Sequence, residues 1–221
     1  MLRIKCFEFN PLQTRCTVLN EEGGTRCTVC DPSMGEPEEV DTLLRYLSEK
    51  GLTPEAILLT HGHFDHICGV APLLRAFPGI PVYMHPAEEK NRRLAPAYAA
   101  LFNRMDIDWN FPTKDLSGDE TLSLSGLTIR VLFTPGHAPG GVCYYLENEK
   151  LLLCGDILFA GSIGRSDLPG GDYDVLIQSL LQTVMVLPGD TDVLPGHGPV
   201  TSIGREAMTN PFLLPFNEPE D

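Results

Sequence analysis

The run Thr60-His-Gly-His-Phe-Asp-His66 sets three imidazoles and a carboxylate side by side. Residues two apart in an extended segment point to one side, so His61 and His63 face a common point. Asp65 and His66 can reach the same point from the start of a following helix. Imidazole and carboxylate are ligands for divalent cations such as Zn, Fe and Mn. This cluster exceeds the needs of one tetrahedral ion once three further groups are counted. They are His137 in Thr134-Pro-Gly-His, Asp156 in Cys154-Gly-Asp and His197 in Pro195-Gly-His. Each stands beside a glycine, which lets the chain bend into a crowded site. Asp156 is the natural bridge, because one carboxylate has two oxygens and can touch two cations. The set then divides, with His61, His63 and His137 about one ion, Asp65, His66 and His197 about another, and Asp156 joining them.

Two such cations, roughly 3.5–4 Å apart, would hold a water whose pKa falls to about 7. The hydroxide so formed would attack a carbonyl polarised by one ion, and no serine or cysteine nucleophile is required. Asp65 is expected to orient that hydroxide while also binding metal, so Asp65 and Asp156 are the expected catalytic carboxylates. The sixth histidine, His85 in Tyr-Met-His-Pro, has no comparable companions and reads as structural or as a support behind the ligands. Cys27 and Cys30 form an isolated CxxC in a strand-like run. Residues three apart on a strand face opposite sides, so the pair is expected to be ordinary core.

Elements that would position these groups follow from the pattern of the chain. Met1–Phe9 alternates apolar and polar residues, and Arg15–Asn20 and Thr25–Asp31 continue as strands around the turn Glu21–Gly24. Glu36–Lys50 reads as a helix with Val40, Leu43, Leu44 and Leu47 on one face and Gly51 as its stop. Ala56–Thr60 is a short apolar strand running into His61. Ile67–Phe77 reads as helix, Pro81–Met84 as strand, and Pro86–Phe111 as an irregular helical stretch. The aromatic and sulfur side chains of that stretch (Tyr98, Phe102, Met105, Trp109 and Phe111) could pack as core or cover a pocket, with core the favoured reading. Strands follow at Leu122–Leu124, Thr128–Thr134, Val142–Glu147 and Lys150–Cys154. Asp172 can cap a helix with apolar positions from Tyr173 to Leu187, and Thr191–Leu194 is the last strand.

Bulk properties narrow the partners. A net charge of −14 would repel a phosphate backbone, and no basic patch breaks it, so nucleic acid is not an expected partner. No stretch of 18 apolar residues occurs, so no membrane span is expected. An odd number of cysteines, seven, with no secretory signal fits a reducing cytoplasm.

The motif HxHxDH at 61–66, followed by His137, Gly155-Asp156 and Gly196-His197, resembles the metallo-β-lactamase superfamily. The resemblance runs in order over essentially the whole chain and implies an αββα sandwich with the metal site at one edge between the sheets. It also implies one domain over 1–214 with an acidic, Pro-rich tail at 215–221. Leu158-Phe-Ala-Gly-Ser-Ile-Gly-Arg-Ser-Asp-Leu-Pro-Gly-Gly-Asp172 is similar to the glyoxalase II branch, in particular its short single-domain bacterial members. Gly196-His-Gly-Pro199 and Thr209-Asn-Pro-Phe212 resemble the closing segment of those members. Only residues 198–221 follow His197 here, so the helical domain that helps glyoxalase II bind glutathione is not expected, and Pro199 stands where that branch has an aromatic residue.

This resemblance implies two divalent ions, Zn first with Fe or Mn as alternatives, and hydrolysis of a small-molecule thioester such as S-lactoylglutathione or another glutathione conjugate. Arg165 stands where the branch keeps a basic substrate-binding residue. Persulfide dioxygenases carry a similar Gly-Arg-x-Asp segment, and for them His61, His137 and Asp156 would hold a single iron. A lactonase or lactamase of the same fold is the other alternative.

Overall fold

The computed structural model describes residues 1–102 and 107–216. The chain opens with an antiparallel hairpin, β1 (Leu2–Phe9) and β2 (Thr14–Glu21), which β3 (Arg26–Cys30) joins antiparallel. Helix α1 (Pro37–Lys50) then crosses to β4 (Thr53–Leu58), parallel to β3. Glu39 folds back at the start of α1 to accept from the backbone N–H groups of Gly35 and Glu36, at 2.7 and 3.1 Å. Such a cap contributes about 1 kcal/mol. Gly51, at φ 63°, ends the helix in the left-handed region, as expected from the sequence.

Next come α2 (Phe64–Ile67), α3 (Val70–Ala76), β5 (Val82–Met84), α4 (Glu89–Ala100) and β6 (Lys114–Asp115). They complete a six-stranded sheet in the order β1-β2-β3-β4-β5-β6. The second half contributes β7 (Thr121–Leu124), β8 (Leu127–Phe133), β9 (Val142–Leu146) and β10 (Leu151–Gly155), and a small hairpin of β11 (Leu158–Phe159) and β12 (Ser162–Ile163). Helix α5 (Tyr173–Ser179), β13 (Asp192–Pro195), β14 (Thr201–Ser202) and α6 (Ile203–Thr209) follow. The second sheet runs β14-β13-β10-β9-β8-β7, with β13 parallel to β10.

Alternation along the strands builds three buried layers from two sheets. Leu19, Cys30, Ala56 and Leu58 of the first sheet meet Ile129, Val131, Tyr144 and Leu153 of the second. On the outer face of the first sheet, Cys27, Val29 and Ile57 pack on Leu43, Leu47 and Leu73 of α1 and α3. On the outer face of the second, Cys143, Tyr145, Leu152 and Val193 pack on Leu176, Ile177 and Leu180 and on Ile203 of α6. The result is one domain with layers helix, sheet, sheet, helix, the expected αββα sandwich. Cys27 and Cys30 fall in different layers, as the strand period requires.

Several elements differ from the sequence reading. The helix expected over 67–77 is two, broken at Cys68-Gly69. The Gly69 N–H donates to the Pro32 carbonyl at 2.7 Å, and a Cβ at Gly69 would meet that oxygen at 2.6 Å. Close packing there lets α2 aim Asp65 and His66 independently of α3. The helix expected from Tyr173 to Leu187 widens after Ser179 into a π-helical turn at Leu180–Val184, which keeps both Leu180 and Val184 in the core. The two-residue strands β6, β11, β12 and β14 and helix α6 are additions. Pro215 and Phe216 belong to a 3₁₀ turn (Leu214–Phe216); the remainder of the expected tail, 217–221, and Met105 lie outside the described residues.

Candidate metal centre

All seven sequence-predicted groups arrive at one edge of the sandwich, because each follows the C-terminal end of a strand. His61 and His63 follow β4 and lead into Asp65 and His66 on α2, His137 follows β8, Asp156 follows β10, and His197 follows β13. Buried cross-links hold the two sheets in register at this edge. Tyr144 donates its hydroxyl to the Leu59 carbonyl at 2.7 Å, and the Val142 N–H donates to Thr60 at 2.9 Å. Gly155 is required by the same closeness: it sits at φ 51°, and a Cβ there would meet Thr60 Oγ1 at 2.5 Å.

The donor atoms sort into triads whose members lie within 4.8 Å of one another: His61, His63 and His137; His61, His66 and Asp156; and Asp65, His66 and His197. Asp156 spans the set. Its Oδ1 is 3.3 Å from His66 Nε2, and its Oδ2 is 3.3 Å from His197 Nε2 and 3.7 Å from His137 Nε2. Outer ring nitrogens are already committed. His61 Nδ1 pairs with Thr60 Oγ1 at 3.0 Å, and His66 Nδ1 with Asp31 Oδ2 at 3.0 Å. His137 Nδ1 donates to the Arg165 carbonyl at 2.7 Å and His197 Nδ1 to the Leu12 carbonyl at 3.0 Å. Each bond turns the other nitrogen inward, the arrangement metal-binding histidines require.

Three of those inward atoms, His61 Nε2, His66 Nε2 and Asp156 Oδ1, are buried without a hydrogen-bond partner. Buried polar atoms are rarely left unpaired, and three converging on one point fit a cation. Electrostatics divide the set: His61 and His63 are held neutral, and His66 is drawn toward its charged form by the surrounding carboxylates. Burial, helped by the neighbouring His66, His63 and His137, pushes His61 well below its ordinary value, leaving a neutral imidazole. Burial and His137 push His63 down to about 3. For His66, burial works in the same direction but is overcome by Asp156, Asp65 and Asp31, which raise it. Burial also opposes ionisation of Asp65 and Asp156, yet His66 and His197 hold both below the ordinary carboxylate range.

Sequence reasoning missed the groups that hold this set. Asp31 accepts from the Thr60 N–H at 2.8 Å and its hydroxyl at 2.7 Å as well as facing His66. Glu88, wholly buried, accepts from the Gly62 N–H at 2.7 Å and the Gly140 N–H at 2.6 Å, tying the loops of His61, His63 and His137 together. Thr14 donates to Asp65 Oδ2 at 2.8 Å. His85 stacks on Phe133 at 4.7 Å and accepts from the Ala87 N–H, away from the cluster.

Above the cluster lies a cavity of about 470 Å³, floored by His63, Asp65, His137, Asp156 and His197. Its walls include Leu12, Phe64, Tyr98, Phe102 and Leu168. Tyr98 and Phe102 thus take the less favoured of the two roles the sequence leaves open, covering a pocket in place of core. Phe102 stacks on Phe64 at 5.3 Å and faces the cavity, whereas Phe111 and Trp109 do pack in the outer core. Arg165 reaches the rim, where its guanidinium pairs with Asp167 at 2.7 and 2.8 Å. None of the helices among the described residues is long and apolar enough to cross a membrane.

A family model described as the metallo-beta-lactamase superfamily matches residues 9–197. The chain is 42% identical over 195 residues to the probable metallo-hydrolase YqgX of Bacillus subtilis, covering 87% of this chain and 89% of that one. It is 33% identical over 216 residues to the hydroxyacylglutathione hydrolase GloC of Haemophilus influenzae, covering 96% and 98%. Among solved structures, the B3 metallo-beta-lactamase BLEG-1 superposes with a TM-score of 0.85 at 39% identity, covering 96% of this chain and 99% of that one. TTHA1623 in a di-iron-bound form gives 0.83 at 40%, covering 95% and 100%.

Proposed function

This chain belongs to the metallo-β-lactamase superfamily and is a metallo-hydrolase of it, and from that premise we propose that it hydrolyses thioesters in the manner of glyoxalase II. S-lactoylglutathione is the first candidate substrate, supported by the likeness to GloC. The observation that carries the reading is the inward-facing set of donors with three buried, unpartnered atoms beneath an open cavity. In this assignment His61, His63 and His137 would hold one divalent ion and Asp65, His66 and His197 a second, with Asp156 as a ligand available to each. Zn is the first candidate; Fe and Mn suit the same ligands, and a di-iron form of a relative supports Fe.

When bound, such a pair supplies a Lewis-acidic centre that lowers the pKa of water to about 7 and polarises a carbonyl. Asp65 is fixed through Oδ2 by the Thr14 hydroxyl, so its carboxylate is held in place to orient the attacking water. Asp156, set between the two triads, keeps them at one spacing. Leu12, Phe64, Phe102 and Leu168 exclude bulk water from the reacting carbonyl and receive the apolar part of a substrate. Arg165 at the rim is the candidate contact for a substrate carboxylate, which would compete with Asp167 for it. Seven free cysteines suit a reducing, cytoplasmic setting.

The likeness to BLEG-1 supports a second reading, β-lactam hydrolysis. Purified protein loaded with metal is therefore assayed against S-lactoylglutathione, a β-lactam, and glutathione persulfide with oxygen uptake recorded. Thioester turnover with close to two ions per chain is the expected outcome. β-Lactam turnover alone selects the second reading, and oxygen uptake with one iron per chain overturns both in favour of a dioxygenase.

A further inference from the structure

The second ion's proposed ligands are held by a short stretch of the first hairpin, which contributes none of them. Arg15 lies at the start of β2 with its side chain only 8% exposed. Its backbone N–H donates to the Gly196 carbonyl at 2.7 Å, and its guanidinium donates to the carbonyls of Pro195 and, at 2.6 Å, Gly198. The three carbonyls bracket His197. Among the described residues, the one carboxylate near this guanidinium is Glu8, 3.9 Å away and itself exposed. A buried cation satisfied chiefly by the backbone of one loop fixes the shape of that loop. Neighbouring residues complete the grip: the Leu12 carbonyl accepts from His197 Nδ1, and the Thr14 hydroxyl donates to Asp65.

We propose that Arg15 is a positioning residue for the second ion, acting through the Pro195–Gly198 loop that carries His197. This rests on the two-ion assignment above. The first triad depends on other partners: Thr60 for His61, the Arg165 carbonyl for His137, and Glu88 for the backbone at Gly62 and Gly140. Loss of the Arg15 clamp therefore separates the two ions, weakening the one at Asp65, His66 and His197 and sparing the one at His61, His63 and His137.

Apoprotein is titrated with Zn²⁺ against a competing chelator, for wild type and for Arg15→Met, Arg15→Lys and Thr14→Val, with thermal unfolding of each apoprotein alongside. Removing a group that orients a metal ligand typically costs 10–100-fold in affinity. The expected result is two binding steps in wild type, with the weakening of about that size confined to one step in Arg15→Met. Arg15→Lys, which keeps the charge but not the fork, restores part of the loss. Thr14→Val weakens the same step by freeing Asp65, and it gives the reading if Arg15→Met does not fold. Wild-type affinity for both ions in the folded variants, or equal loss of both, overturns the proposal. A wild type that takes up fewer than two ions instead overturns the two-ion assignment beneath it.

Discussion

Asp31 and His66, 35 residues apart in the chain, meet at 3.0 Å with the carboxylate facing the outer nitrogen of the ring. Asp31 does this from a left-handed backbone, φ 48°, which few residues other than glycine adopt without strain. The same carboxylate takes both the N–H and the hydroxyl of Thr60, whose oxygen pairs with His61. One side chain thus sets the orientation of an imidazole in each proposed ion site.

Asp31→Asn is therefore expected to weaken metal binding by about 10–100-fold while leaving the fold intact. Chelator competition measures the affinity, and circular dichroism checks the fold. Wild-type affinity in the variant would remove Asp31 from the positioning set.

Glu88→Ala should act on stability. The substitution strands the buried N–H groups of Gly62 and Gly140, each costing about 1–3 kcal/mol. Denaturant unfolding of the apoprotein, with wild type as reference, is expected to show a loss of a few kcal/mol. Glu88→Gln, which keeps one acceptor oxygen, should lose less.

Arg165 contacts the proposed ligand set through its carbonyl alone, while its side chain stays at the rim. Arg165→Ala is expected to keep wild-type metal content and to raise KM for a glutathione thioester, with little change for a thioester lacking carboxylates. A drop in metal content would show that the guanidinium shapes the His137 loop after all.

Acid stability should carry a contribution from Glu120, which accepts from the N–H groups of Ser117, Gly118 and Asp119 at 2.9, 2.7 and 3.1 Å. Burial works against its ionisation, but its own backbone N–H, the Ser117 N–H and hydroxyl and the Gly118 N–H hold it down to about 2, below the ordinary 4.5. A depressed folded-state pKa gives stability that is present above 4.5 and is lost as the pH falls toward about 2. Glu120→Gln is expected to flatten the stability curve of chelated protein across that window. Curves that stay parallel would dismiss the contribution.

What could be read in the chain without coordinates follows from how local each signal is. His61, His63, His137, Asp156 and His197 announce themselves because ligand-type residues beside glycine at strand ends are scarce. Asp31, Glu88, Arg15 and Thr14 have no such signature. Their partners stand 29, 26, 183 and 51 residues away, and nothing in the neighbouring sequence points to them. For Tyr98 and Phe102 the sequence leaves core and pocket cover both open, for another reason. An apolar face looks the same in sequence whether it meets a core or lines a cavity, so periodicity cannot separate the two. The break at Cys68-Gly69 likewise depends on contact with Pro32, supplied by a distant loop.

Strand β13, inserted between β10 and β14, is among the last elements of the chain. Synthesis proceeds from the N-terminus, and so does much of folding on the ribosome. A nascent chain that ends before Asp192 already carries His61, His63, His137 and Asp156, but it has neither β13 nor His197. Under the ligand assignment proposed above, such a chain can grip one ion before it can grip two. Emergence of a single late strand then both closes the second sheet and admits the second ion, making the last act of construction the first moment of competence.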